Sequence, residues 1–292
     1  MSKYAVHTDL ACESELTHDS GKNGTEYSEK KINGFTVAKL HVKDKSAEAA
    51  TGKKAGRYTT VFSEIIYKID GERLDALASL ISSELGEMSH LILKKTPSCV
   101  LVAGLGNREI TADNIGPKTV DRLTVTRHIS LHNKKLFDTF SRVPLCAVAP
   151  GVLGQTGVES AEMIKGVCDY AKPDLIIAID ALAARSTSRL GTTVQISDSG
   201  IFPGSGIGNR RGEISFDTMG IPVIAIGVPT VVNSSTLVYD ALQKAGHGHI
   251  DKSIEKVLHD GESFYVSPKE SDMISEKVSI LLSRAIDELF LY

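Results

Sequence analysis

Short apolar runs alternate with longer amphipathic stretches along most of the chain, and this alternation predicts its elements. From residue 98 onward, runs rich in Val and Ile indicate buried strands, and the stretches between them have helical spacing. The predicted strands are 98–103, 144–149, 174–179, 193–197 and 222–228, and the predicted helices lie near 115–124, 159–171 and 234–245. This order predicts an α/β fold, a three-layer αβα sandwich with a mostly parallel sheet.

The first part of the chain has a different pattern. Residues 35–42 and 58–63 alternate like half-buried strands, whereas residues 11–33 are polar and predict a mobile or edge segment. Apolar residues recur at helical spacing from Gly71 to Leu93, and again from Pro268 to Tyr292. We therefore expect a single αβα domain with an N-terminal β extension.

Composition and charge limit the classes of protein to which this chain can belong. The 292 residues are 41% hydrophobic and carry a formal charge of -3, which gives no electrostatic reason to bind nucleic acid or an anionic membrane. No apolar stretch approaches the roughly 20 residues that cross a bilayer. The four cysteines form no Cys-x-x-Cys pair, which favours a reduced, cytoplasmic setting.

Two aspartates follow predicted strands. Asp180 directly follows the apolar run 175–179, and Asp113 lies beyond the run 99–103 and a glycine-containing turn. Loops at the carboxyl ends of parallel strands share one edge of the sheet, so the two carboxylates are expected to share a crevice and to suit acid/base chemistry on water. Two structural alternatives stay open. Asp113 could cap a helix that starts near Pro117, and Asp180 could pair with Arg185 or a backbone amide.

A glycine-rich loop is the second candidate for a site. Residues 197–212 contain five glycines in sixteen residues, so their backbone can approach an extended peptide closely, although a flexible surface connection would have the same composition. The candidate substrate-binding residues in it are Ser199, Gly200, Gly204, Ser205, Gly206, Asn209, Arg210 and Arg211.

Familiar motifs of other enzyme classes fail on particular residues. The Gly104-Leu-Gly106 turn lacks the third glycine of a dinucleotide site, because position 109 is Glu109. Ser205 has Pro203 where a serine-hydrolase elbow needs glycine. The histidine pairs 128/132 and 247/249 do not form a His-Glu-x-x-His motif, so we expect no metal ligands there and no cofactor.

Several blocks of sequence closely resemble the germination proteases of spore-forming bacteria, and together they cover nearly the whole chain. In one place the chain departs from some members, because it is much shorter between Ala245 and the C-terminal helix. The blocks that carry the resemblance are residues 4–11, 56–58, 104–107, 111–118, 126–128, 150–152, 177–186, 195–200, 203–206 and 221–232.

The resemblance implies an endopeptidase that degrades small acid-soluble spore proteins during germination. It implies a homotetramer in the cytoplasm of the spore core, with a fold similar to that of hydrogenase maturation proteases. The family's proposed catalytic aspartates correspond to Asp113 and Asp180. It also implies an inactive precursor that removes its own N-terminus.

The site of this self-cleavage follows from a short match. Thr8-Asp-Leu-Ala11 resembles the Thr-Glu-Ile/Phe-Ala sequence that the family cuts in spore proteins. A cut between Asp9 and Leu10 would leave residues 1–9 as the propeptide and 10–292 as one peptidase domain. A flexible, polar N-terminus would favour such a cut, and a plain edge strand is the structural alternative.

Two rival functions remain open. A metal-dependent peptidase could use the same carboxylates, because hydrogenase-protease relatives contact a metal through equivalent ones. A non-catalytic protein could simply bind the spore protein. The aspartic hypothesis requires a spore-protein partner but no nucleic acid and no membrane.

Overall fold

Nine strands of the described residues form one mixed sheet. The computed structural model describes residues 8–13, 24–203, 212–246, 253 and 264–291. The strands are β1 (Thr25–Ile32), β2 (Phe35–Val42), β3 (Gly56–Phe62), β4 (Val100–Gly104), β5 (Leu145–Val148), β6 (Leu175–Ala184), β7 (Thr193–Ser197), β8 (Val223–Asn233) and β9 (Tyr265–Val266). Their order is β1-β2-β3-β7-β8-β6-β4-β5, with β9 paired to β8.

Helices cover both faces of this sheet. They are α1 (Lys45–Thr51), α2 (Gly71–Leu93), α3 (Ile115–Val120), α4 (Arg127–His132), α5 (Lys134–Phe137), α6 (Leu153–Thr156), α7 (Ser160–Ala171), α8 (Phe216–Met219), α9 (Ser234–Lys244) and α10 (Ser271–Phe290). The long helices α2 and α10 pack together on one face, and α7 packs on the other. The predicted α/β fold with three layers is therefore confirmed.

The alternation of side chains along β6 divides the core in two. Ile177 and Ile179 belong to the apolar cluster beneath α2 and α10. Ile176, Ala178 and Leu182 belong to the cluster on the opposite face, together with residues of α7. Because successive strand residues point to opposite faces, one strand contributes to both cores.

Strand directions follow the lengths of the connections. Strands β5, β4, β6 and β8 run parallel, whereas β7, which the sequence pattern placed in the same alternating series, runs antiparallel to both its neighbours. Only residues 185–192 connect β6 to β7, and a parallel crossover needs a dozen or more.

The N-terminal β extension is confirmed as three antiparallel strands added to β7. Strand β1 lies at the edge of the sheet, one of the two alternatives expected for residues 11–33, and residues 14–23 lie outside the described part of the chain. Residue Ala11 departs from that expectation, because it is buried in a short 3-10 turn, Ala11–Glu13.

Candidate active site

Asp180 lies within a strand and not at the start of a loop, so its predicted position at the strand end is wrong. Strand β6 continues through Ala184, because Ala181 to Ala184 extend its pairing with β8. The neighbouring strand β4 ends at Gly104, opposite Ile179. Asp180 is thus the first residue of β6 beyond the end of β4. It is 4% exposed, and its carboxylate accepts a hydrogen bond from the Ala181 amide at 3.0 Å.

Asp113 ends a 3-10 turn, Thr111–Asp113, between β4 and α3. One carboxylate oxygen, Oδ2, accepts the Asn107 amide at 2.8 Å, which closes the loop on itself. Gly106, at a φ of 110°, is packed so closely that a Cβ would lie 1.9 Å from the Asp113 carbonyl oxygen. The alternative in which Asp113 caps a helix is not observed, because Asn114 holds the N-cap position of α3.

The backbone brings the segments that carry the two aspartates to the same edge of the sheet. The Leu105 amide donates to the Ile179 carbonyl at 2.8 Å, so the loop after β4 leaves directly beside Asp180. Gly116 packs against the same carbonyl, where a Cβ would lie at 2.7 Å. The turn that ends at Asp113 also contacts β6 and β8. The loop that leads to Asp113 therefore leaves the sheet directly beside the strand that carries Asp180.

The N-terminal segment 8–13 is bound across this part of the sheet. Asp9 makes a two-bond bridge to Ala183, since its amide donates to the Ala183 carbonyl and its Oδ2 accepts the Ala183 amide, each at 2.9 Å. Leu10 is fully buried in the core beside Leu182. The expectation of a flexible N-terminus is therefore wrong for Asp9 and Leu10, because apolar burial and backbone pairing fix them.

Gln195 holds the next part of this segment. Its Oε1 accepts the Ala11 amide at 2.6 Å, and its Nε2 donates to the Asp9 carbonyl at 3.3 Å. Gln195 pairs with Gly227 on β8, and Gly227 pairs with Asp180 on β6. These three residues form one row across the sheet. Two interstrand spacings place the backbones of Gln195 and Asp180 roughly 10 Å apart.

A cleft of about 340 Å³ adjoins this row. Asp9, Gln195 and Gly227 line it, and so do Ser199 and Gly200 of the glycine-rich loop. Leu182 forms part of its wall, with a side chain so close to Gly227 that a Cβ there would lie 2.2 Å away. The cleft thus joins the first part of the glycine-rich loop to the N-terminal segment.

Gly200 and Ser199 are the two predicted substrate-binding residues whose positions the structure gives. Gly200 has a φ of 80°, and a Cβ would lie 2.6 Å from the Ile214 carbonyl oxygen, so this turn requires glycine. The remaining predicted residues lie outside the described residues: Gly204, Ser205, Gly206, Asn209, Arg210 and Arg211.

Charged groups fix the segment at both ends. The Lys53 ammonium donates to the Thr8 carbonyl at 2.6 Å, and burial lowers the pKa of Lys53, opposed by the nearby Asp9 and Glu13 carboxylates. The Glu13 carboxylate accepts the amides of Arg185 at 2.7 Å and Ser186 at 3.0 Å. Both ends of segment 8–13 are therefore tied to the body of the protein.

Neither a metal-binding cluster nor a membrane-spanning helix is present in the described residues. No group of three or more His, Cys, Asp or Glu side chains is arranged there to hold a metal ion. None of the helices in the described ranges combines the length and apolarity that a membrane span requires. All four cysteines are free, and burial raises the pKa of Cys12 to about 11, which disfavours its thiolate.

The segment 8–13 is thus bound to β6 at Ala183 and to β7 at Gln195, in the row that also contains Asp180. The germination protease family model matches residues 5–256, and the chain belongs to this family. The family gives it a protease role in spore germination.

Individual relatives agree with this assignment. The germination protease of Priestia megaterium is 44% identical over 253 residues, covering 83% of this chain and 67% of that protein. That of Clostridium acetobutylicum is 36% identical over 317 residues, covering 97% and 94%. The [NiFe] hydrogenase maturation protease HycI of Thermococcus kodakarensis is 15% identical, with coverage of 70% and 97% and a TM-score of 0.37, which is too low to establish a shared fold.

Sequence reasoning missed Gln195 and Lys53 as contacts of the N-terminal segment. A signal for Gln195 was present, because Thr193, Gln195 and Ser197 alternate with Val194 and Ile196 along β7. Such alternation predicts one polar face, and that face contacts the segment. Lys53 has no comparable signal, since it follows a helix end in an irregular stretch.

Proposed function

We propose that this protein is an aspartic-type endopeptidase that initiates degradation of small acid-soluble spore proteins and uses Asp113 and Asp180 to activate water. One observation carries the proposal: the segment that resembles the family's cleavage sequence is bound to Ala183 of β6 and to Gln195, which lies in one row with Asp180. Family membership supports the protease role, and the site geometry supports the choice of residues.

The chemistry requires one proton shared between two carboxylates. Two nearby carboxylates do not both ionise easily, so one holds a proton while the other is charged. The charged member takes a proton from water as the water oxygen attacks the peptide carbonyl carbon. The protonated member polarises that carbonyl and then protonates the departing amine. The titrations belong to the pair, and we assign neither role to a single aspartate.

The proposal includes a zymogen that cuts its own Asp9–Leu10 bond. Asp9 takes the place of the acidic residue before the cut, and its carboxylate accepts the Ala183 amide. Leu10 takes the place of the apolar residue after the cut and lies in an apolar pocket. A bound segment of this kind also explains an inactive precursor, because it occupies the groove that a protein substrate needs.

A cleavage assay on a purified small acid-soluble spore protein tests the main proposal. We expect cleavage after Glu in the family's recognition sequence, at an unchanged rate in the presence of a chelator. Loss of activity with the chelator, restored by added metal, would favour the metal-dependent alternative. Binding without cleavage would favour the non-catalytic alternative.

We further propose a homotetramer located in the spore core, on the basis of family membership alone. Light scattering coupled to size-exclusion chromatography tests the first statement, with a mass near four times 31.4 kDa expected. Fractionation of spores, followed by immunodetection in the core, tests the second. A monomer in the scattering experiment would contradict the tetramer but leave the proposed chemistry intact.

A further inference from the structure

Gln195 is a buried amide side chain in the centre of the sheet, where Thr60 and Gly227 are its neighbours on the adjacent strands. It is 6% exposed, on the polar face of β7. Burying an amide costs free energy unless its polar atoms are hydrogen-bonded. Both ends of this amide are bonded to the N-terminal segment, one to Ala11 and one to Asp9. The segment therefore supplies the partners that make burial of this side chain acceptable.

The two hydrogen-bond partners also determine which end of the side-chain amide is the oxygen and which is the nitrogen. The Ala11 amide can only donate, so the atom facing it must be Oε1. The Asp9 carbonyl can only accept, so the atom facing it must be the Nε2 donor. The two bonds bracket Leu10, and the Asp9 carbonyl belongs to the Asp9–Leu10 peptide bond. A donor is thus aimed at the carbonyl oxygen of the bond whose cleavage is proposed above.

We propose that Gln195 is a further catalytic residue, which holds the peptide in register through Oε1 and stabilises the carbonyl oxygen through Nε2 as negative charge develops on it. This inference rests on the proposed function, since it assumes that water attacks the Asp9 carbonyl carbon. In that step the carbonyl π bond breaks, its electron pair moves to oxygen, and a donor close to this oxygen lowers the energy of the tetrahedral intermediate.

The surroundings of Gln195 favour this role over simple packing. Gln195, Gly227 and Asp180 occupy one row, so the donor and one proposed acid/base group lie on the two strands that flank β8. Lys53 holds the carbonyl of Thr8, one residue earlier in the segment. Two neighbouring carbonyls are thus held by side-chain donors, which fixes the peptide in place beside the row.

Self-processing of the full-length chain provides the test, with loss of residues 1–9 followed by intact mass. The informative variants are Gln195→Met, which keeps the side-chain length without hydrogen bonds, and Gln195→Glu. Thr193→Val is the matched control, because Thr193 is buried two positions earlier on the same face of β7. Thermal unfolding and far-UV circular dichroism verify that each variant is folded.

We expect Gln195→Met to slow self-processing by about a hundred- to a thousand-fold, the usual loss for one oxyanion donor. We expect Thr193→Val to process at the wild-type rate. The Gln195→Glu rate, divided by the wild-type rate at each pH, should rise as pH falls from 8 to 5, because only the protonated carboxyl can donate to the carbonyl oxygen. A structural role alone would leave this ratio flat.

The outcomes separate the two proposals. A folded Gln195→Met chain that processes within about threefold of wild type, or a flat pH ratio for Gln195→Glu, overturns the inference on Gln195 alone. A wild-type chain that stays intact or cuts at another bond defeats proposed self-processing, and the role of Gln195 with it. If Gln195→Met does not fold, the pH dependence of the Gln195→Glu rate, relative to wild type, tests the role of Gln195 within a single folded variant.

Discussion

The two faces of the sheet differ in how they are covered. On one face, α2 and α10 bury a continuous apolar core that includes Ile177 and Ile179 of β6. The other face carries Asp180, Gln195 and a cleft, and it is covered partly by α7 and partly by the segment 8–13. Alternation along β6 puts stabilising and candidate reactive side chains on adjacent residues of one strand. We therefore expect substitutions on the helical face to change stability and substitutions on the cleft face to change activity.

The largest expected effect is at the two candidate aspartates. Asp113→Asn and Asp180→Asn should each lower peptidase activity by about a hundred- to ten-thousand-fold, because an amide cannot exchange the proton that the pair shares. Initial rates on a purified spore protein measure this loss, with thermal unfolding to verify folding. Asp169→Asn, exposed on α7, is the control. A rate within a small factor of wild type would return that aspartate to a structural role.

The helical face should respond in the opposite way. Leu281→Ala on α10 removes a fully buried side chain from the core, and the lost burial plus the cavity should cost about 2–5 kcal/mol of unfolding free energy. Denaturant titration measures this change. The rate per folded molecule should remain at the wild-type value, because the substitution lies on the face opposite the cleft. A large loss of rate in the folded fraction would contradict the expectation that the helical face affects stability and not activity.

A smaller effect is expected where the segment is tied down. Glu13→Gln should slow self-processing by about tenfold, because its charge-assisted bonds to the Arg185 and Ser186 amides weaken while other contacts hold the segment. The measurement is the rate at which the first nine residues are lost. Glu72→Gln, exposed on α2, is the matched control. Equal rates for Glu13→Gln and wild type would show that Glu13 does not position the segment.

The smallest expected effect concerns two arginines of the glycine-rich loop. Arg210→Ala combined with Arg211→Ala should raise KM severalfold on a spore protein with little change in unfolding free energy, since arginines can hold acidic side chains of a substrate. Steady-state kinetics measure the constants. Arg284→Ala on α10, paired with Asp75 far from the cleft, serves as control. An unchanged KM would remove both arginines from the substrate groove.

Local pattern predicted the sheet well and the strand limits less well. Apolar runs in the second half of the chain lie where β4, β6 and β8 lie, because burial on both faces leaves a continuous signal. The charge of Asp180 was taken as the end of its strand. The four residues after it are compatible with strand, and pairing with β8 decides the outcome. Such pairing between distant segments is not visible in a local pattern.

The candidate site was predictable only in part. Strand direction alone predicted that Asp113 and Asp180 share an edge of the sheet. The burial of Leu10 could not be predicted in this way, because the segment around it is too short to show periodicity. The segment's partners, Ala183 and Gln195, lie more than 170 residues away along the chain. Contacts of this sequence separation are set by the folded topology. The same reason explains why Gln195 was not singled out.

The attachment of Glu13 has a consequence for the enzyme after the proposed cut. Cleavage at Asp9–Leu10 would leave Glu13 on the body of the protein, so the new amino terminus stays within about 11 Å of its anchor. A group on so short a tether returns to its site as if present at millimolar effective concentration. The freed end would then act as a built-in competitor, and spore protein would have to displace it before each productive encounter. The abundance of substrate, and not the cut alone, would therefore set how fully the enzyme works.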